Sequence, residues 1–237
     1  MYLIVNADDF GASRGITRGI LDAHRHGILT STSFMVDMPG SEEAALLSRD
    51  FPELSMGLHA AFTNEDCEPV VDFGDAGACR ARLFGQFGSF VELMGRAPTH
   101  LDSHHNVHRD PRLLPHFVEL ARQYGLPLRG HSPARYFSSF YGQWDGEPHL
   151  EQISVANLVR LLQAEVHDGI TELSCHPGYV DANFASSYSV ERETELRTLC
   201  DPAIRSFLQD ARIHLLGFRD LALVPAGTTR QVSAWQQ

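Results

Sequence analysis

The chain has 237 residues and 43% of them are hydrophobic, so it is long enough to bury a full core and suits one α/β domain over residues 1–237 better than two small domains. Its formal net charge of −11 argues against nucleic acid or an anionic membrane surface as the main partner, and no apolar run reaches the length needed for membrane insertion. All 19 basic residues are arginine, which excludes a P-loop lysine, a Schiff-base lysine and a Ser-Lys dyad.

Hydrophobic periodicity and turn signals predict about seven strands that alternate with about six helices. In chain order, strands are predicted at residues 2–6, 28–36, 54–60, 100–102, 126–129, 170–174 and 213–216. Helices are predicted at residues 14–26, 41–49, 79–95, 111–124, 154–168 and 190–208. This alternation favours a parallel sheet with right-handed crossovers, and we expect a single-domain (β/α) barrel. A doubly wound open sheet is the second expectation, because the GxGxxG fingerprint is missing after the first strand.

Neither targeting motifs nor paired cysteine motifs stand out in the sequence. The first residues, MYLIVNADDFG, lack the basic segment and the small-residue cleavage site of a secretory signal, so we expect a cytoplasmic protein. The four cysteines include no CxxC pair that could form a zinc knuckle or a redox dithiol. We therefore expect free thiols.

Residues 99–108, with the sequence THLDSHHNVH, combine four histidines with a carboxylate. Prolines flank this segment on both sides, which predicts a short strand at 100–102 that opens into a loop. His104 and His108 have the i, i+4 spacing of HExxH zinc sites, but the required glutamate is absent. Taken alone, the segment is also compatible with a polar surface loop.

Side chains that carry chemistry occur where the predicted strands end. They are Asp8, Asp9, His59, His104, His105 and His176. Each of them alone could be a helix-capping residue, a buried core histidine or a turn residue. However, β/α barrels place their active sites on the rim formed by the carboxyl-terminal ends of the strands. The topology therefore predicts that these side chains converge.

Metal-assisted hydrolysis is the chemistry that such a set of side chains suits best. One carboxylate and two neutral imidazoles can bind Zn²⁺ or another divalent ion and leave a coordination position for water. A second carboxylate can take the proton of that water, and a separate histidine can protonate a leaving amine. The sequence supplies a candidate for every one of these roles.

Other functions remain compatible with the same residues. One is a hydrolase of phosphate esters or of other amides, although phosphatase sites usually hold two or three metals and cationic clamps. Another is a sugar-binding protein whose catalytic site has been retired. A metal-free glycosidase fits less well, because Asp8 and Asp9 are adjacent and cannot readily flank a glycosidic bond from opposite sides.

Four segments, VNADDFG, GLHAAFT, PTHLDSHHNVH and CHPG, occur in this order between residue 2 and about residue 180. They resemble the motifs of the YdjC-like carbohydrate deacetylases, which include the chitooligosaccharide deacetylases and a hopanoid-cluster branch. A further segment, SSYSVERETELRTL, is similar to the tail of that family. The resemblance implies a β/α barrel related to the polysaccharide deacetylases.

The resemblance also implies a role for each residue of the predicted site. Asp9, His59 and His104 would bind one divalent metal ion, with Zn²⁺ expected first and Mg²⁺ as the alternative. Asp8 would be the general base, and His176 would be the acid that protonates the leaving group. Independently of the resemblance, the position of residues 99–108 at the end of a strand predicts that His105 and His108 face solvent or substrate, while His100 and Asp102 support an imidazole from behind.

The expected reaction is hydrolysis of the N-acetyl amide of an amino sugar or chito-oligosaccharide, with release of acetate. The sequence offers four aromatic residues as candidates for stacking on the sugar. They are Phe62, Tyr136, Trp144 and Tyr179. Dimers are common in the resembled family, so a homodimer is an expected assembly.

Overall fold

The computed structural model describes residues 1–181 and 184–224. Its α-helices are α1 (Arg14–His26), α2 (Ser41–Leu47), α3 (Ala76–Met94), α4 (Leu114–Tyr124), α5 (Val155–Glu165), α6 (Val190–Leu199) and α7 (Pro202–Asp210). Its strands are β1 (Tyr2–Phe10), β2 (Ser31–Phe34), β3 (Ser55–Ala60), β4 (Leu101–Ser103), β5 (Ala134–Phe137), β6 (Gln143–Trp144), β7 (Glu147–Pro148), β8 (Ile170–Cys175) and β9 (His214–Leu215). Short 3₁₀ segments cover Ser48–Asp50, His104–Arg109, Leu150–Ile153 and Phe218–Leu223.

Seven of the strands form one mostly parallel sheet, in the order β4-β3-β2-β1-β8-β5 with β9 beside β1. The sheet curls into a half-barrel. Leu128 forms an isolated parallel bridge with Leu101 of β4, and the chain then continues into β5 at the opposite edge of the sheet. A short segment therefore joins the two edges, and the predicted β/α barrel with about seven parallel strands is confirmed. The other two strands, β6 and β7, pair antiparallel in a small separate ribbon.

The strand β1 lies at the centre of the sheet because its sequence can be buried along its whole length. Every residue of β1 after Tyr2 is buried, and the strand lies between β2 and β8. Near-continuous apolar runs are typical of parallel strands that are covered on both faces. The carboxylates of Asp8 and Asp9 at the end of β1 are therefore enclosed by the barrel mouth.

The helices pack on this sheet through their apolar sides, and local capping determines where they begin. In α1, the Ser13 hydroxyl accepts the backbone N–H of Ile16 at 3.2 Å, and Ile16 and Ile20 are fully buried. The Asp75 carboxylate caps α3 in the same way, by accepting the N–H of Ala78 at 2.9 Å. Because of this cap, α3 begins at Ala76, earlier than the predicted start at residue 79.

Two elements predicted from the sequence, the strand at 126–129 and the helix at 190–208, are wrong. Residues 126–129 do not form a strand beyond the single bridge at Leu128, and the strand that follows them is β5. The helix predicted at 190–208 is divided into α6 and α7, because Asp201 caps a new helix that has Pro202 at its first position.

In the part of the chain that the structure describes, no helix has both the length and the apolar character needed to cross a membrane. The expected extent of the domain, residues 1–237, includes residues 182–183 and 225–237, which lie outside the described ranges. That extent stays a prediction.

Candidate active site

A distortion at the end of β1 brings two adjacent carboxylates to the same cavity. In a regular strand, neighbouring side chains point to opposite faces. The pairing of β1 with β2 shifts register between Ala7 and Phe10, and Asp9 has a φ of 71°. Asp8 and Asp9 consequently both line one cavity. Such a backbone conformation costs about 1–3 kcal/mol in a non-glycine residue and is found mostly at functional sites.

Asp9, His59 and His104 form a group that could hold a metal ion. Each offers a ligand atom, and these atoms all lie within 4.8 Å of one another. Asp9 Oδ1 is 3.5 Å from His59 Nε2 and 3.2 Å from His104 Nδ1. Asp9 Oδ1 is nevertheless buried without a hydrogen-bond partner in the described chain. A carboxylate and two imidazoles that converge without satisfying one another fit a divalent cation.

Neighbouring side chains fix the orientation of two members of this group. His59 Nδ1 is 2.7 Å from Asp102 Oδ1, which turns Nε2 toward Asp9. The Arg192 guanidinium donates to Asp9 Oδ2 at 2.8 Å. Burial opposes ionisation of Asp9, but Arg192 and the two imidazoles hold its pKa well below the usual value. Asp9 therefore stays ionised, with Oδ1 directed toward the histidines.

Arg129 is fully buried and binds three carboxylates. It donates to both oxygens of Asp8 at 2.8 and 2.7 Å and to Glu172 at 2.8 Å, and it lies 2.8 Å from Asp102. Asn6 donates a further hydrogen bond to Asp8 at 2.9 Å. Burial would lower the pKa of Arg129, but the three carboxylates raise it well above the usual value. One permanent cation therefore orients Asp8 and also supports Asp102.

Arg129 does not stabilise the negative charges of its three carboxylate neighbours equally. Burial raises the pKa of Glu172 to about 7 from 4.5, with Arg129 only partly opposing the shift. The folded protein therefore holds this proton more tightly than the unfolded chain does. Stability associated with Glu172 is present below about pH 4.5 and is lost as the pH rises toward about 7.

We expect Glu172→Gln to reduce this pH dependence, because glutamine resembles the protonated acid. At pH 8 the variant should be more stable than the unmodified protein by on the order of 2 kcal/mol, and at pH 4.5 it should differ little. Urea unfolding at the two pH values measures both differences. Glu151→Gln, at an exposed position, is the control and should follow the unmodified protein. An equal pH dependence of the unfolding free energy in all three proteins would show that folding does not raise the pKa of Glu172.

His176 faces Asp8 across the cavity from the end of β8. Its Nε2 atom lies 4.0 Å from Asp8 Oδ2, and its Nδ1 atom is buried with no hydrogen-bond partner among the described residues. The backbone N–H of His176 donates to the Glu195 carboxylate. Burial lowers the pKa of His176 although Asp9 and Asp8 oppose this shift. The imidazole is therefore held in place through its backbone while its ring remains available to a ligand.

The remaining histidines of the segment 99–108 have different positions. His105 lines the cavity, as expected, and its Nδ1 atom is 2.9 Å from the Thr63 hydroxyl. His108 is fully buried, with Nδ1 2.7 Å from the Ser103 hydroxyl, so the expectation that it faces solvent or substrate is wrong. His100 is also buried and stacks on Phe218 with ring centroids 3.9 Å apart.

The cavity that contains this site has a volume of about 400 Å³. Its wall is rich in hydroxyl groups, which can pair with the hydroxyls of a sugar. The residues that supply them are Tyr136, Ser138, Tyr141, Ser174, Ser186, Ser187 and Tyr188. Among the described lining residues, Arg192 is the only arginine, and its guanidinium is already bound to Asp9.

Two of the four aromatic candidates lie away from this cavity. Phe62 is fully buried in the hydrophobic core, where its ring packs against Phe117 with centroids 5.7 Å apart, so it cannot stack on a ligand. Trp144 is 45% exposed, but it stacks on His149 and does not line the cavity. The sequence does not show whether an aromatic residue outside the main strands and helices packs into the core or lines a cavity.

The other two candidates differ from each other. Tyr179 lines a separate groove of about 630 Å³, where its hydroxyl donates to Asp22 at 2.8 Å. Tyr136 does line the cavity containing the candidate metal ligands, and its hydroxyl is 3.0 Å from the Ser174 hydroxyl. The larger groove contains none of the side chains that converge at the barrel mouth, so the chemistry assigns the site to the smaller cavity.

Sequence reasoning missed several residues that shape the site. Arg129 lies in a segment mistaken for a strand, and Arg192 and Glu195 lie in a helix whose charged sequence is typical of a solvated surface. In fact both side chains on α6 are buried. Glu65, in the loop after β3, has Oε1 3.6 Å from His104 Nε2. No periodic pattern could identify Glu65, because its contact depends on the fold of an irregular loop.

Comparison with known proteins agrees with the geometry. The chain matches the YdjC-like protein family over residues 2–210. It is 37% identical over 248 residues to a carbohydrate deacetylase from Geobacillus stearothermophilus, with 92% of this chain and 97% of that protein covered. It is 34% identical over 257 residues to a chitooligosaccharide deacetylase from Serratia marcescens, with 92% of this chain and 98% of that protein covered.

Solved structures show the same fold. A protein from Enterococcus faecalis, provisionally described as a cellobiose-phosphate cleavage protein, matches with a TM-score of 0.81 at 27% identity and covers 93% of this chain and 98% of its own. A family 4 carbohydrate esterase from Streptomyces lividans matches with a TM-score of 0.56 at 10% identity, over 90% and 91% of the two chains, which shows the fold alone. The motifs, the family match and the relatives together show that the chain belongs to the YdjC-like protein family.

Proposed function

We propose that the protein is a metal-dependent hydrolase that removes the acetyl group from an N-acetylated amino sugar or chito-oligosaccharide and releases acetate. The observation that carries this proposal is the convergence of Asp8, Asp9, His59, His104 and His176 on one cavity. Relatives that share about a third of the sequence over most of the chain are named as carbohydrate and chitooligosaccharide deacetylases. The hydroxyl-rich wall of the cavity supports a sugar as the substrate.

Asp9, His59 and His104 would hold one divalent ion in this proposal. Two imidazoles favour Zn²⁺ over Mg²⁺, because Mg²⁺ prefers an all-oxygen environment. A bound divalent ion supplies polarisation of the acetyl carbonyl and lowers the pKa of water. Asp102 and Arg192 serve this site by orienting His59 and Asp9.

Asp8 and His176 would move the protons of the reaction. Asp8 Oδ2 lies 4.0 Å from His176 Nε2, so a substrate amide held beside both atoms would have a proton acceptor for the attacking water and a proton donor for its nitrogen close together. Asp8 takes a proton from the attacking water, and His176 in its imidazolium form gives a proton to the amine nitrogen as the C–N bond breaks. The proton on Asp8 then passes to His176, which restores both groups for the next cycle. Arg129 and Asn6 keep the Asp8 carboxylate in place during this transfer.

We expect about one tightly bound divalent ion per chain, and His59→Ala and His104→Ala should each reduce metal content by at least about tenfold. Elemental analysis of the purified proteins measures this. His24→Ala, outside the cavity, is the matched control and should retain the metal. Two or more tightly bound ions per chain would instead favour the phosphoesterase alternative.

Acetate release from a panel of N-acetylated sugars tests the proposed reaction. The panel should include N-acetylglucosamine, chito-oligosaccharides of increasing length and a phosphorylated N-acetyl sugar. We expect acetate from at least one uncharged member, because the described lining residues offer no uncommitted arginine for a phosphate. Sugar binding without acetate release would favour the non-catalytic alternative.

Two further features belong to this proposal. We infer a cytoplasmic location, which is supported by four free cysteines, of which Cys67 is exposed. A homodimer stays a prediction from the family resemblance.

A further inference from the structure

Two tyrosines form a stacked pair in the cavity wall. The rings of Tyr141 and Tyr188 are nearly parallel, with an interplanar angle of 11° and centroids 4.6 Å apart. Tyr188 is the buried member of the pair, whereas Tyr141 is 39% exposed and lines the cavity. One face of the Tyr141 ring is therefore covered by Tyr188, and Tyr141 contributes to the cavity wall.

This pair is fixed to the same carboxylate that holds His176. The Tyr188 hydroxyl donates to Glu195 and accepts the backbone N–H of Gly142 at 3.0 Å. Glu195 also accepts the backbone N–H of His176. The imidazole of His176 approaches Tyr141 edge-on, with centroids 5.8 Å apart at 76°. The position of the Tyr141 ring and that of His176 are thus determined together.

Tyr136, the other tyrosine predicted from sequence to contact the sugar and found in the cavity wall, is less suited to stacking. The guanidinium carbons of Arg109 and Arg129 lie 5.0 and 4.9 Å from its ring centroid, so cations already occupy positions over the ring. Its hydroxyl is engaged with Ser174. Tyr136 can offer a hydrogen bond to a ligand, but Tyr141 has the accessible ring.

We propose that the substrate's sugar ring packs on Tyr141, with its acetamido nitrogen directed toward His176; this inference rests on the proposed deacetylase function. The C–H face of a pyranose is apolar and can be buried against an aromatic ring, while its hydroxyls need polar partners. The same cavity wall carries serine and tyrosine hydroxyl groups. The leaving group of deacetylation is the sugar amine, so the ring that carries it must lie beside the proton donor.

Steady-state kinetics on diacetylchitobiose tests this assignment. Tyr141→Ala should raise KM by about tenfold and change kcat by less than about threefold, while Tyr141→Phe, which keeps the ring, should stay near the unmodified protein. Trp144→Ala is the matched control, because Trp144 has a similar exposure, 45% against 39%, but does not line the cavity, and it should have no effect. The proposal is overturned if Tyr141→Ala leaves KM unchanged, if Tyr141→Phe is as impaired as Tyr141→Ala, or if Trp144→Ala causes the loss.

A binding measurement separates this inference from the proposed function. Calorimetry with diacetylchitobiose should show about tenfold weaker binding to Asp8→Asn/Tyr141→Ala than to Asp8→Asn alone. If the unmodified protein releases no acetate but the Tyr141 ring is still needed for binding, the hydrolase proposal fails and the stacking site is upheld. If acetate is released and the two variants bind equally, the stacking site alone is refuted. Thermal melting of each variant should show that it remains folded.

Discussion

Asp8→Asn is expected to reduce deacetylation by about 10³-fold or more while leaving metal content and fold close to those of the unmodified protein. Asparagine has nearly the shape of aspartate and can still accept a hydrogen bond from Arg129, but it cannot accept a proton from water. The proposed metal ligands, Asp9, His59 and His104, are unchanged in this variant. Activity, metal content and thermal unfolding should therefore respond differently, and measuring all three on one preparation tests the assignment.

Asp168→Asn is the matched control, since Asp168 is exposed and does not line the cavity. It should keep full activity. If Asp8→Asn retained most of its activity, Asp8 would not be the base. If it lost the metal together with the activity, Asp8 would be holding the ion, and the proposed division of roles between Asp8 and Asp9 would be incorrect.

Arg129→Met is expected to destabilise the protein by about 3–5 kcal/mol. Methionine fills similar space, but it leaves Asp8, Asp102 and Glu172 buried without their shared cation. Urea unfolding at pH 7 measures the loss. The loss should be smaller near pH 5, because carboxylates freed from Arg129 have raised pKa values and become protonated as the pH falls.

Arg80→Met provides the comparison, because Arg80 pairs with Glu119 at 2.6 Å on the surface, where both side chains are nearly half exposed. Such a pair should contribute less than about 1 kcal/mol. Adding Glu172→Gln to Arg129→Met should change the stability at pH 7 little, because without Arg129 the pKa of Glu172 rises above 7 and the residue is already uncharged. Equal losses from the Arg129 and Arg80 variants would show that the buried cluster is not held together by its charge balance.

The positions of the five residues in the proposed hydrolytic site follow well from the sequence, because each comes at the end of a strand. Parallel strands connected by helices present their carboxyl-terminal ends at one rim, so Asp8, His59 and His176 are brought together by topology. What the pattern could not provide is the bulge at Asp9. A strand with regular alternation would have turned Asp8 and Asp9 to opposite faces, and only the left-handed φ of Asp9 resolves this.

Residues that hold the site in place were harder to predict than residues that form it. Arg129 is invisible to periodicity because a buried arginine is expected only where several carboxylates meet, and those come from distant parts of the chain. Arg192 and Glu195 are buried for the same reason, although the charged sequence of their helix is typical of a solvated surface. Each is stabilised by long-range partners, which no local pattern encodes.

The aromatic candidates show a third kind of limit. Phe62 and Tyr141 lie in loops, and Trp144 lies in the short strand β6. One is in the core, one stacks on a neighbouring histidine, and one forms the cavity wall. Their different positions arise from how each segment of the chain folds back on the sheet.

Metal-dependent hydrolysis of a sugar N-acetyl amide predicts a fixed ratio of products and a strict requirement for the metal. Metal-loaded protein incubated with diacetylchitobiose should yield one free amine for every acetate released. Complete removal of the metal by a chelator should stop both, and added Zn²⁺ should restore them together. Acetate release that persists without metal, or cleavage of the glycosidic bond with the acetyl groups retained, would contradict this reaction.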